Sequence, residues 1–230
     1  MEYVFILFLV IDAVLAYRFA YKDGSMRQKL LTSLPFVAAG FYLTLVCSPN
    51  NMLYAWLIVA GLCASFIGDW VLRYDLFGMK GLPGIISFAL AHILYISAFA
   101  VRVPLTVKDL VLLIPWSIMF VLEIFAKKKI KIDLGPTAPA VAVYAMIIDA
   151  MVVLGVRAAI MTLNGGISVL RSIVLVAGVI MFIISDAGVC LMMFGNRTEI
   201  KIKNKIYRLD PINIAMYYGG QMLIAASVLL

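Results

Sequence analysis

Charge is scarce in this 230-residue chain: Asp, Glu, Lys and Arg make up 13% of it, against roughly 25% in an ordinary soluble domain. A water-soluble fold is thereby excluded, since the apolar residues run unbroken instead of alternating with polar ones. Histidine occurs once, at His92, and the three cysteines, Cys47, Cys63 and Cys190, lie within or at the ends of apolar runs with no CxxC spacing. They read as packing residues, with neither a disulfide framework nor a zinc knuckle indicated. One histidine without paired cysteines also excludes three-histidine and cysteine-rich zinc sets, and neither a metal nor any other cofactor is expected. No GxSxG elbow and no Ser-His-Asp order is present, which argues against a serine nucleophile. The net charge of +7 does not point to nucleic acid, because the Lys and Arg residues form no basic surface interleaved with aromatics.

What the chain has is apolar length. Hydrophobic residues make up 65% of it and the mean hydropathy is +1.08. With about 20 residues per membrane crossing as the template, eight spans are predicted, over 2–20, 29–47, 51–74, 83–102, 108–126, 136–160, 167–194 and 211–230. The expected fold is an all-α membrane protein forming one transmembrane domain over 1–230, with short connections. Glu2 precedes the first run and Arg18 and Lys22 follow it, the reverse of a signal peptide, so that run is expected to remain as a span. The odd-numbered loops carry 15 Lys and Arg residues; the remaining four are Arg102, Lys108, Arg157 and Arg171. By the positive-inside rule the odd loops are cytoplasmic and both termini lie outside. A bacterial inner (plasma) membrane is the expected location, and the oligomeric state is not legible.

Within this apolar background two carboxylates recur in similar surroundings. Phe66-Ile-Gly-Asp69-Trp-Val-Leu72 lies in the third run and Ile183-Ile-Ser185-Asp186 in the seventh, and a Phe-Gly pair follows each aspartate at the same offset, at Phe77-Gly78 and Phe194-Gly195. An aspartate near the middle of a membrane helix costs roughly 2.5–3.5 kcal/mol on insertion scales, so both need partners, a wet cavity or chemistry. Pro35-Phe-Val-Ala and Pro139-Ala-Val-Ala, and Ala91-His92 and Gly220-Gln221, extend the repetition. Two parallel four-helix repeats are the expected plan. Asp69, Asp186, His92 and Gln221 all fall at similar depth, in the half nearer the odd loops.

The bland reading stands beside this one. A membrane aspartate or a lone histidine can simply tie helices together through a hydrogen bond worth about 1 kcal/mol, and Tyr95, Tyr144, Tyr217 and Tyr218 can be packing residues. Asp12, Glu123, Asp149 and Arg157 are expected to form salt bridges with other spans or to lie near an interface. The Lys127-Lys128-Lys129 run reads as a topology signal with some attraction for anionic headgroups.

Taken together, Gly68-Asp69-x-x-Leu72, Phe88-x-x-Ala91-His92-x-x-Tyr95, Phe182-x-x-Ser185-Asp186 and Tyr217-Tyr218-x-x-Gln221 resemble the YhhN family of eight-span membrane proteins, whose animal members include lysoplasmalogenase. The resemblance covers nearly the whole chain in order. It implies hydrolysis of the vinyl ether of a lysoplasmalogen to a fatty aldehyde and a glycerophospho head group. That chemistry needs one carboxylic acid to donate a proton and one carboxylate to steady the cation or activate water. Asp69 and Asp186 are the expected catalytic pair, without assignment of which is the acid. His92, Tyr95, Tyr144, Ser185, Tyr218 and Gln221 are expected around the substrate, and the expected partners are a lysolipid and the membrane lipids. Two other readings stay open: a proton-coupled transporter or lipid-binding protein using the same aspartates, and a scaffold in which they pack apart.

Overall fold

A stretch of backbone inside hydrocarbon must satisfy its own N–H and C=O groups, which an apolar run achieves as a helix. In the computed structural model, which describes residues 2–46, 51–130, 132–164, 168–202 and 205–229, each of the eight runs has become one helix. They are α1 Glu2–Tyr21, α2 Met26–Val46, α3 Met52–Val71, α4 Leu82–Arg102, α5 Leu113–Ile130, α6 Ala138–Asn164, α7 Val169–Met193 and α8 Leu209–Ala226. All eight are long and apolar enough to cross a membrane, and the protein is an integral membrane protein. Cys47, Lys131 and Lys203 lie outside the described residues.

The boundaries that moved did so for local reasons. The fifth α-helix starts at Leu113 instead of 108 because Val107–Leu112 forms a 3₁₀ turn, opened by a capping box in which Asp109 bonds back to the Thr106 amide and hydroxyl. Polar side chains of this kind satisfy the first amides of a turn and fix where it begins. The third helix is capped by Asn51, whose side chain accepts from the Tyr54 amide at 3.0 Å.

The long connection after α7 holds a β-hairpin that the span pattern did not predict. Strand β1 (Glu199–Ile202) pairs antiparallel with β2 (Lys205–Arg208), Glu199 opposite Arg208. The alternation of Ile200, Ile202 and Ile206 with Lys201 and Lys205 is a period-two signal.

Helix pairing follows the repeat. In one half α3 packs extensively on α4 and α2 packs on α3; in the other, α7 packs on α8 and α6 on α7. The halves close on each other through α4 against α6 and α2 against α8, and α1 covers α2 and α8. The fifth helix breaks the correspondence: its main helix contact is α6 alone, and none of its residues is buried. The Phe-Gly pairs also differ. Phe77 and Gly78 both take positive φ, 53° and 72°, in an exposed turn, whereas Phe194 caps α7 in right-handed conformation. That recurrence in sequence is therefore no repeat in backbone structure.

Close approach within the tightest pair depends on a small residue, as it commonly does between membrane helices. A Cβ on Gly61 of α3 would sit 2.3 Å from the ring of Tyr95 on α4. Around the Tyr217 ring of α8, Phe36, Phe88, Phe182 and Tyr218 form an aromatic centre shared by both halves, and Tyr95 joins it through Phe182.

Candidate active site

The last turn of α3 carries Asp69 into the bundle, where its side chain is almost fully buried. Three groups meet it. Lys29 of α2 places its Nζ 3.2 Å from Oδ1, and the hydroxyls of Ser33, one turn further along α2, and Tyr217 of α8 donate to Oδ2 at 2.6 and 2.8 Å. Lys29 and Ser33 lie four residues apart, on one face of their helix. The carboxylate thus has a cation and two hydroxyl donors, which is the paired and hydrogen-bonded condition a buried charge requires.

Asp186 of α7 is held differently. Its Oδ2 accepts a hydrogen bond from the Tyr144 hydroxyl of α6. His92 of α4, fully buried, sets its Nε2 2.9 Å from the Tyr144 oxygen and 3.4 Å from Asp186 Oδ2. Because Tyr144 gives its only proton to Asp186, His92 must donate from Nε2. Its Nδ1 has no partner among the described residues, which matches a bare lone pair there better than a buried N–H. Asp186 is the more open aspartate, with 16% of its side chain exposed against 3% for Asp69. Each aspartate is therefore gripped by one helix of its own half, α2 or α6, and one of the other half, α8 or α4.

Both carboxylates line a single cavity of about 250 Å³. Its walls are mostly apolar, from Leu72, Phe88, Ile148, Ile183 and others, and it is also lined by Lys29, Glu123, Lys127, Tyr144, Ser185, Asn213, Tyr217 and Tyr218. At its open end it continues into a more polar vestibule of about 590 Å³, with which it shares Phe19, Lys29, Leu72, Val189, Met193, Asn213 and Ile214. Lys22, Asp23, Arg208 and Asp210 add charge to that outer space. Both volumes lie at the end of the bundle where α1, α3, α5 and α7 finish.

Of the eight residues singled out in the sequence, five face the cavity: Asp69, Asp186, Tyr144, Ser185 and Tyr218. Ser185 donates to Asn213 Oδ1 at 3.2 Å. His92 stands behind Tyr144 and does not line the cavity. Tyr95 and Gln221 bond to each other, hydroxyl to Oε1 at 2.9 Å, and both are fully buried. The Phe182 ring packs against Tyr95 and His92, 6.5 Å from the first and 4.7 Å from the second between centroids, and the Tyr95 and His92 rings are themselves 6.4 Å apart. Neither the Tyr95 nor the Gln221 side chain faces the cavity, a direction that membrane helices apolar nearly all round give no periodicity from which to read.

Sequence reasoning missed Lys29, Ser33, Asn213 and the choice of Tyr217 over its neighbour as donor to Asp69. Lys29 is one of the 15 Lys and Arg residues counted with the odd loops, where it reads as a topology signal. The signal available was its spacing of four from Ser33 in the first turns of a span.

The remaining membrane charges sort themselves as follows. Arg157 forms a two-point pair with Asp109, at 2.5 and 2.8 Å, and donates to the Val103 and Pro104 carbonyls, bracing the end opposite the aspartates. Glu123 pairs with Lys127 on its own helix at 3.3 Å. Asp149 forms no interhelical bridge among the described residues: neither of its oxygens has a partner there, nor does Oδ1 of Asp12.

The fold and the site together define a polytopic helical membrane protein with two carboxylates lining an apolar cavity that has a charged mouth. The chain belongs to the YhhN family, whose model matches residues 28–228 and so takes in α2–α8 almost entirely. No curated protein and no solved structure matches it.

Proposed function

We propose that the protein is a membrane-embedded hydrolase that cleaves the vinyl ether of lysoplasmalogen-type lysolipids. The observation that carries this reading is the shared cavity: two carboxylates facing one apolar space whose mouth is charged. A lysolipid has the matching shape, one chain for the apolar walls and a polar head for the vestibule.

The partners of each aspartate suggest a division of labour. Asp69, paired with Lys29, serves as the carboxylate; Asp186, whose neighbours Tyr144 and His92 carry no fixed charge, serves as the acid. Asp186 delivers its proton to the β-carbon of the vinyl ether. The π electrons form the new C–H bond and leave an oxocarbenium ion, which the Asp69 charge stabilises. Water adds to that carbon as a carboxylate takes up its proton, giving a hemiacetal. Collapse breaks the bond from carbon to the glycerol oxygen. The hydroxyl proton of the hemiacetal is lost, the glycerol oxygen gains one, and an aldehyde and the glycerophospho head group leave with Asp186 again protonated. The logic is that of glycoside hydrolysis. The aromatic layer of Phe88, Phe182 and Tyr217 beyond the carboxylates favours a blind site over a through-path, and so the enzyme over the proton-coupled transporter.

In the orientation we propose, the odd loops face the cytoplasm of a bacterium, both termini lie outside, and the cavity opens at the inner leaflet. The decisive experiment is aldehyde release from a lysoplasmalogen by the purified protein in detergent. Wild type should release it and folded Asp69→Asn and Asp186→Asn should not. A stable wild type that releases none would sink the assignment.

A further inference from the structure

Lys29 belongs to both volumes. Its ammonium is 3.2 Å from Asp69 and its side chain is 19% exposed, on the boundary between the apolar cavity and the vestibule. Lys22 and Arg208 line the same outer space, as do Asp23 and Asp210, the latter 3.5 Å from Arg208. A cation in this position can do more than neutralise Asp69. We propose that Lys29, with Lys22 and Arg208 beyond it, is a subsite for the phosphate of a lipid head group, and so fixes how far the lipid enters.

The spacing supports it. Two charge-assisted contacts end to end, carboxylate to ammonium and ammonium to phosphate oxygen, span about 6 Å. The three-carbon glycerol backbone, at ~1.5 Å per bond, separates its ether oxygen from its phosphate by roughly 5–6 Å. A phosphate resting on Lys29 therefore sets the ether bond beside Asp69. The surrounding charge also favours a lipid-borne phosphate over a free one. The three cations face three carboxylates, Asp69 included, so the vestibule carries little net attraction for a bare dianion. Asp23 is a carboxylate there, and the hydroxyl and the amide of Ser25 hold it below the usual range. A head group carrying both a phosphate and an ammonium is matched at each end.

This inference rests on the lysolipid reading, and binding of uncleavable ethers tests it apart from hydrolysis. The full-length protein in a non-ionic detergent is titrated calorimetrically with 1-O-hexadecyl-lysophosphatidylethanolamine, with 1-O-hexadecylglycerol and with inorganic phosphate. Wild type should bind the phosphate-bearing ether at least ~10-fold more tightly than the glycerol ether, as one well-placed charge-assisted contact allows. Lys29→Gln should bring the two within about threefold of each other. Because Lys29→Gln leaves Asp69 without its cation, the Lys22→Gln/Arg208→Gln double variant, which touches neither aspartate, is measured beside it and should lose part of the preference. Lys128→Gln, exposed on α5 and outside the cavity lining, should keep all of it. Equal binding of the two ethers by wild type overturns the subsite and leaves the hydrolase reading to aldehyde release. A folded Lys29→Gln that keeps the full preference reduces Lys29 to a countercharge for Asp69. Inorganic phosphate that binds as tightly as the phosphate-bearing ether overturns a lipid-borne ligand, and binding of neither ether overturns both readings.

Discussion

Lys29, in the first turn of α2, stands 3.2 Å from Asp69, in the last turn of α3. The contact holds the first carboxylate of the cavity as an ion pair, while the second, Asp186, meets a tyrosine and a histidine instead. This asymmetry between otherwise matching positions makes the two aspartates separable by experiment.

Removing the cation should destabilise the protein. Breaking a buried pair by deleting one partner typically costs about 3–5 kcal/mol, and the partial exposure of Lys29 together with the two hydroxyls left on Asp69 brings the expected cost of Lys29→Met to about 2 kcal/mol. Adding Asp69→Asn should restore part of that loss, because the stranded charge disappears. Thermal unfolding in detergent checks both variants, and a double mutant less stable than Lys29→Met would refute the ion-pair account.

Asp186 and Tyr144 should differ in degree. Loss of a general acid costs typically 10²–10⁴-fold in rate, and Asp186→Asn should fall in that range for aldehyde release. Tyr144→Phe removes one hydrogen bond to the acid, worth about 1 kcal/mol, so a loss of roughly fivefold to tenfold is expected. His92→Gln acts one residue further back and should be milder still. Initial rates on one lysoplasmalogen rank the three, and a Tyr144→Phe enzyme as dead as Asp186→Asn would mean that the tyrosine itself touches the reacting atoms.

Tyr95 offers the complementary test. Its hydroxyl donates to Gln221 and neither residue lines the cavity, so Tyr95→Phe leaves the Gln221 oxygen buried without that donor, at about 1–3 kcal/mol. The melting temperature should drop while the rate per folded molecule stays within about twofold of wild type. A full-stability variant with a collapsed rate would bring Tyr95 back into the site.

The contrast between these residues shows what the sequence could convey. Eight spans were legible because length alone identifies a membrane helix, and Asp69 and Asp186 were legible because a carboxylate in an apolar run is costly enough to need a reason. Gln221, singled out by its depth, and Tyr95, singled out by its place in the family motif, turn away from the cavity, a direction the sequence does not mark: a span with lipid on one face and protein on the other is apolar on both. Lys29 was missed for the opposite cause. A lysine at a span end is so common as a topology signal that its second use, pairing with a carboxylate 40 residues along the chain, had no local mark. The hairpin of β1 and β2 was written in the Ile-Lys alternation, overlooked because the stretch was read only for its charge.

Orientation is open to direct measurement. Lys201, exposed on β1, belongs to the same connection as Arg197, Lys205 and Arg208, and the excess of Lys and Arg in such loops argues that it faces the cytoplasm. In a background with Cys47, Cys63 and Cys190 replaced by serine, Lys201→Cys should resist a membrane-impermeant maleimide in intact cells and react once the cells are permeabilised. Leu105→Cys, exposed in the α4–α5 connection at the opposite end, should show the reverse pattern. Labelling of Lys201→Cys from outside would invert the protein and turn the cavity mouth, with Lys29 and Asp69 behind it, to the outer leaflet, so that any lipid substrate would have to be drawn from there.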